Sequence, residues 1–255
     1  FEESALEGDL GGTGRDADAD HWSQFRTAEA EIDAVESACE TARGAGATLH
    51  IAHTSTPEAV DVADEAGASC EVSPHHLLLS RDDLDELGTF GRMNPPLRSE
   101  ARREQLYERV ADGTVDMIAT DHAPHTVEEK EVGLTEAPSG VPGVETMLPL
   151  LLQEVRNGGL DLERVCELVA ETPAERFGLD RKGHIEEGYD ADFALVDLDD
   201  SEAIRGDALH SKCGWTPFEG REAVFPELTV VRGTTVYDGR AGDRSTAGLG
   251  ENVRP

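Results

Sequence analysis

Three times in the first half of this chain a helical stretch gives way to a short apolar run, and each run stops at a polar segment bearing His or Asp. Thr27 to Ala45 carries Ile32, Val35, Ala38, Cys39 and Ala42 at helical spacing, with Thr27 placed to cap it and Gly44 and Gly46 to end it. Thr48 to Ala52 follows as a strand and ends at His53-Thr54-Ser55-Thr56. Pro57 to Ala66 is a helix with proline in its first turn. Ala68 to Val72 is a second strand, followed by Ser73-Pro74-His75-His76. Ser99 to Ala111 is a third helix, Val115 to Thr120 a third strand, and Asp121-His122-Ala123-Pro124-His125 closes the series. Such alternation predicts an α/β fold with a parallel sheet or barrel. It gathers the polar groups at the carboxyl ends of the strands, where parallel barrels carry their chemistry.

The remainder is read more coarsely. Residues 1–20 are rich in Gly and Asp and read as a loop, as does Thr126 to Gly143. Two helices are expected over Val144 to Asn157 and Leu162 to Phe177. The pattern then turns to strand period, in Asp192 to Asp197 and in Leu228 to Asp238 across a turn at Gly233. Residues 1–179 are therefore assigned to the α/β part and 180–255 to a small β-rich domain.

Charge excludes some partners. The 54 acidic and 22 basic residues give −32, which repels nucleic acid and anionic membranes. A small-molecule substrate is the expected partner, and homo-oligomerisation is left open. The acidic residues run from Glu2 to Glu251, and the lysines are Lys130, Lys182 and Lys212. A dispersed acidic surface with so little lysine is a solubility device for concentrated salt, where self-repulsion is screened. A halophilic protein should show a melting temperature that rises from low to molar KCl. Cys39, Cys70, Cys166 and Cys213 form no CxxC pair, so disulfides are not expected and a cytoplasmic location is. No apolar run reaches membrane-spanning length, and Phe1-Glu2-Glu3-Ser4 opens no signal peptide. No GxSxG elbow, P-loop or GxGxxG stands beside a suitable strand, which removes serine-hydrolase, NTPase and dinucleotide readings.

Of the polar residues, Asp121 is the strongest candidate for chemistry. An Asp after a strand is commonly an N-cap or turn residue, but His122 and His125 beside it make a carboxylate–imidazole cluster suited to metal. His53 lies nearer the carboxyl end of its strand than His50 and is the better metal candidate. His50 is expected to be packed or hydrogen-bonded. Asn94, held before Pro95 and Pro96, has an oriented amide that could read a substrate or close an Asx turn. His75 and His76 stay unassigned, with a structural role at least as well supported. Cys39 and Cys166 are expected in the core.

Taken together, several segments resemble the dihydroorotase family of the amidohydrolase superfamily. They are Leu49-His50-Ile51-Ala52-His53-Thr54-Ser55-Thr56, Glu71-Val72-Ser73-Pro74-His75-His76-Leu77 and Met93-Asn94-Pro95-Pro96-Leu97-Arg98. Ala119 to His125, Glu128-Glu129-Lys130, Pro142-Gly143-Val144-Glu145-Thr146 and Asp190-Ala191-Asp192 follow. The likeness spans about Thr27 to Gly239. Allantoinases and hydantoinases share the scaffold, but their counterparts of the Asn-Pro-Pro-Leu-Arg and Asp-His-Ala-Pro-His segments read differently.

The resemblance implies a (β/α)8 TIM-like barrel followed by a small β-sandwich domain. It implies Zn2+, usually two ions in the intact enzyme, and reversible interconversion of N-carbamoyl-L-aspartate and (S)-dihydroorotate in pyrimidine biosynthesis. Carried over by position, His53 is a zinc ligand, and Asp121 a zinc ligand and the catalytic proton shuttle. Asn94 and His125 contact substrate, and the Ser139–Gly140 backbone helps hold the pyrimidine ring. The family's opening His-x-His strand, its bridging ligand and its fifth-strand His have no counterpart here. The chain accordingly reads as the C-terminal part of a dihydroorotase with the last three barrel strands, and activity is expected of the intact protein. Competing readings are a dihydropyrimidinase, hydantoinase or allantoinase, and a non-catalytic dihydroorotase-like partner protein.

Overall fold

A computed structural model describes residues 12–239 and 249–253. Two compact units emerge, one holding the residues up to Met147 together with Arg205–Glu219, the other Leu148–Ile204 and the residues from Gly220 on.

In the first unit α1 (Asp20–Phe25) precedes α2 (Ala28–Ala45). The Thr27 hydroxyl accepts from the Ala30 amide, and Gly46 ends α2 at φ 63°, the left-handed cap that glycine takes without a Cβ clash. Then come β1 (His50–Ile51), α3 (Pro57–Glu65), β2 (Ser69–Val72), α4 (Pro74–Leu78), α5 (Leu84–Leu87), α6 (Glu100–Ala111), β3 (Met117–Ile118) and α7 (Val127–Lys130). The strands form a parallel sheet in the order β1-β2-β3, with Ile51 opposite Cys70 and Val72 opposite Ile118. Helix and strand alternate as the sequence period predicts. Ala59, Val60 and Ala63 of α3, Leu106 and Val110 of α6, and Val72 of β2 are fully buried. That shared apolar layer supplies the drive for closing helices onto sheet.

The second unit begins at Leu148, one residue into α8 (Met147–Asn157), whose Pro149, Leu150, Leu151 and Leu152 are buried. It continues through α9 (Leu162–Cys166), a π-helical turn over Glu167–Glu171 and α10 (Thr172–Arg176). β4 (Phe193–Leu195), β5 (Glu202–Ala203), β6 (Glu222–Ala223), β7 (Leu228–Val231) and β8 (Thr234–Asp238) follow. They make an antiparallel sheet β4-β7-β8 and a separate pair β5-β6. The turn between β7 and β8 holds Arg232 at φ 46° and Gly233 at φ 75°. No helix among the described residues is long and apolar enough to cross a membrane.

Five local expectations change. Residues 1–11 lie outside the described residues, but the stretch read as loop up to residue 20 holds a 3-10 turn at Gly14–Asp16. The stretch read as loop from Thr126 contains α7, started by a capping box in which Thr126 and Glu129 satisfy each other's backbone amides. The helix expected over Leu162 to Phe177 is interrupted by the π turn, whose five residues directly precede Thr172 and Pro173. The Thr172 amide reaches back to Glu167 O, because a proline at 173 supplies no amide of its own. The same interruption shifts the buried face to Val165 and Leu168, so Cys166 is exposed rather than in the core, while Cys39 is buried as expected. The helix expected from Val144 starts at Met147 and leaves Val144 exposed.

Candidate active site

His53 and Asp121 follow β1 and β3, and both take left-handed backbone angles, φ 43° and 45°. Among the described residues Arg232 is the other non-glycine with positive φ. A side-chain-bearing residue held there costs about 1–2 kcal/mol and persists where its surroundings fix it. β2 runs between the two strands, so at strand spacing of about 4.8 Å they leave the sheet about 10 Å apart. The His53 amide donates to Glu71 Oε1 at 3.4 Å, and its Nδ1 is buried with no hydrogen-bond partner. Asp121 is exposed.

A buried ion pair backs the His53 segment. Glu31 accepts from the Ser55 amide (2.7 Å), the Thr56 amide (3.2 Å) and the Ser55 hydroxyl. Arg98 bonds Glu31 Oε2 at 2.8 Å, Ser55 Oγ at 2.9 Å and Arg26 O at 2.6 Å. Thr56 then caps α3. The network fixes the turn immediately after His53.

The remaining histidines sort by their partners. His50 bonds Ser69 Oγ at 2.8 Å and Glu71 Oε2 at 3.1 Å, the hydrogen-bonded role expected of it. His75 and His76 are buried on α4 with ring centroids 4.3 Å apart. His76 Nε2 donates to Pro95 O at 2.8 Å. Burial lowers the pKa of His75 well below the usual imidazole value and that of His76 to about 4, so both rings are neutral, and His75 Nε2 and His76 Nδ1, like His53 Nδ1, are buried without a hydrogen-bond partner. His122 Nδ1 accepts from the Gly143 and Val144 amides at 3.1 and 3.3 Å. A nitrogen with its lone pair so engaged anchors a loop.

All four residues expected to contact substrate fall into one network. Asn94 Nδ2 donates to Ser139 Oγ at 3.1 Å, and Asn94 Oδ1 accepts from Trp22 Nε1 at 3.0 Å. His125 Nε2 donates to Ser139 O at 3.2 Å. The Gly140 amide donates to Arg92 O at 3.0 Å. Gly140 sits at φ 122°, and a Cβ there would lie 2.5 Å from Ala123 Cβ, so glycine is required for the 139–141 segment to lie against 121–123. The Ala123 amide closes that approach onto Val141 O at 3.0 Å.

Four residues of this network were not singled out in the sequence. Trp22, 1% exposed, bonds Met93 O as well as Asn94. The Arg92 guanidinium lies 3.9 Å from the Trp22 ring centroid and donates to Leu134 O. Lys130, fully buried, donates to Pro138 O (2.8 Å), Arg92 O (3.2 Å) and Thr89 O (3.4 Å). Burial and the Arg92 charge bring its pKa down to about 7. Trp215 donates to His125 O at 2.7 Å and packs edge-on against Phe90 at 4.9 Å. The available signal was scarcity: both tryptophans of the chain and one of its three lysines are here.

Among the described residues no group of three or more His, Cys, Asp or Glu converges as a metal cage. His53 and Asp121 offer an imidazole nitrogen and a carboxylate oxygen, donors that suit zinc, but two donors fall short of the three protein ligands of a catalytic site.

Comparison with known proteins bears on the same residues. A family model described as "Amidohydrolase family" matches residues 17–236. The chain is 63% identical over 238 residues to a dihydroorotase of Halobacterium salinarum, covering 93% of this chain and 56% of that protein. It is 45% identical over 235 residues to a dihydroorotase of Methanosarcina acetivorans, covering 87% and 50%. Among solved structures it resembles an L-hydantoinase (dihydropyrimidinase) from Arthrobacter aurescens, with a TM-score of 0.79 and 31% identity over 88% of this chain and 51% of that one. The chain thus spans about half the length of the relatives it matches.

Proposed function

Because this chain belongs to the amidohydrolase family, we propose that the protein carrying it is a dihydroorotase, interconverting N-carbamoyl-L-aspartate and (S)-dihydroorotate in pyrimidine biosynthesis. The observation that carries the reading is the joined network of Asn94, His125, Ser139 and Gly140, of which His125 stands four residues after Asp121 on the same segment. The 63% identity to a named dihydroorotase supports it. Residues 1–179 are taken as the last three strands of a (β/α)8 barrel with their helices, and 180–255 as part of a small β-rich domain. The site is taken to work in a high-salt cytoplasm on a small-molecule substrate.

His53 and Asp121 would hold Zn2+. A buried imidazole nitrogen without a partner, as at His53, is a lone pair that a metal satisfies. The other ligands would come from the half of the relatives that this chain does not match. Zinc supplies a Lewis acid for the ring amide carbonyl and an acidified water at neutral pH. Asp121 takes the proton that the attacking water gives up and passes it to the amide nitrogen as the C–N bond breaks; ring closure reverses both transfers. Asn94 uses one of its two amide hydrogens and one of its two oxygen lone pairs internally. One of each remains for the substrate.

A second reading, a hydantoinase, draws on the likeness to the Arthrobacter aurescens enzyme. Turnover of dihydroorotate, hydantoin and allantoin by the protein carrying this chain, in molar KCl, decides between them. Dihydroorotate is expected to be preferred, and a preference for hydantoin overturns the first reading.

A further inference from the structure

We propose that Lys130 is a positioning residue that clips together, through its single Nζ, the two backbone segments that present Asn94 and Ser139–Gly140. The proposal rests on the reading of those residues as substrate contacts. Its basis is geometric. Thr89 O and Arg92 O come from the segment leading into Asn94, and Pro138 O immediately precedes Ser139. Arg92 O also accepts the Gly140 amide, so one carbonyl joins the lysine and the second segment directly. Lys130 is itself fixed at the end of α7, where its carbonyl accepts from the Thr89 hydroxyl. The Trp215 ring lies 5.7 Å from Nζ, and its indole nitrogen holds His125 O.

A fully buried lysine is rare and costly unless its hydrogens are used. Here they point at backbone carbonyls rather than a carboxylate, and no ion pair among the described residues holds the side chain in place. Backbone carbonyls have fixed positions, so the nitrogen sets the separation of the two segments as a spacer does. A neutral amine keeps two N–H donors, enough for the two shorter bonds to Pro138 and Arg92. The clip therefore persists on either side of the lysine's titration.

Lys130→Gln and Lys130→Met in the protein carrying this chain test the proposal. On the reading of these segments as substrate contacts that take no part in the proton transfers, the loss should be of uniform binding. KM for dihydroorotate is expected to rise at least tenfold with kcat within about threefold. Hydrogen exchange at the Gly140 amide should quicken at least tenfold while α2 keeps its protection. Leu106→Ala in the buried face of α6 is the structural control, expected to lower the melting temperature and leave KM unchanged. An unchanged KM in a folded Lys130→Gln overturns the proposal, as does a KM rise in Leu106→Ala of the same size. Should neither Lys130 variant fold, exchange in the wild-type protein still decides: a Gly140 amide protected about 100-fold or more supports the clip, and a freely exchanging one overturns it. Absence of wild-type turnover counts against the dihydroorotase reading alone, since the exchange measurement needs no substrate.

Discussion

The wall formed by Asn94, His125, Ser139 and Gly140 and the rim formed by His53 and Asp121 share the segment 121–125, yet they are held in different ways. Wall residues reach one another through side-chain and backbone hydrogen bonds, supported from behind by Trp22, Arg92, Lys130 and Trp215. Rim residues sit in left-handed conformations, one with a buried nitrogen lacking a partner and the other exposed. Beside His53 the edge of β1 borders a groove of about 360 Å³ lined by Ala34, Val35, Ala38, Leu49, Ile51 and Pro95. The contrast teaches that this chain completes its recognition surface internally. The two residues proposed as metal donors are instead held in left-handed backbone, one with an unpartnered buried nitrogen and the other open to solvent.

The sharpest way to break the comparison is at Asp121. In the protein carrying this chain, Asp121→Asn should lower kcat for dihydroorotate about 10³-fold or more. The melting temperature should move by no more than a few degrees, because the residue is exposed; steady-state kinetics and a thermal melt check both. A large loss of stability instead would place Asp121 in the structural network, on the wall's side of the contrast.

Next in size is the support behind the rim. Arg98→Met leaves the largely buried Glu31 without its charge partner, a change worth at most about 3–5 kcal/mol, read by urea unfolding. Hydrogen exchange should quicken in the Ser55–Thr56 turn, with Gly140 keeping its protection. Gly140→Ala does the converse. The Cβ meets Ala123 at 2.5 Å and the backbone is at φ 122°, so a loss of about 2 kcal/mol with a raised KM is expected.

The effect smallest per step is a pH slope. Lys130 titrates at about 7 when folded against 10.5 for the free side chain. Between those values the unfolded chain holds a proton that the folded chain has released. Raising pH therefore favours the folded state, by at most about 1.4 kcal/mol per pH unit, and the gain levels off outside that window. The difference in unfolding free energy between wild type and Lys130→Met, measured from pH 7 to 10, isolates it; a flat difference would show that the lysine keeps its ordinary pKa.

Much of the architecture was legible because it rests on local rules. Thr27 and Thr56 cap helices through hydroxyls placed three residues before the amides they accept. The three apolar runs pair as parallel strands because helices separate them. The capping box at Thr126 and Glu129 was equally local, and that stretch was nonetheless read as loop. The placement of His53 and Asp121 was legible, since both follow parallel strands. The break at the π turn was not, because a helical period continues through it in the sequence while the proline reorganises the bonds.

By itself, then, the sequence determined most of the helices, the three parallel strands and their polar ends, and offered candidate side chains for metal and substrate, because periodicity, caps and residue chemistry act over a few positions. Tertiary structure alone decided the partners: Trp22 on Asn94 across 72 positions, Trp215 on His125 across 90, and Lys130 on carbonyls 8, 38 and 41 positions away. No local pattern encodes such meetings. A backbone carbonyl is the same acceptor at every residue, and only the packed chain brings particular ones to a buried nitrogen.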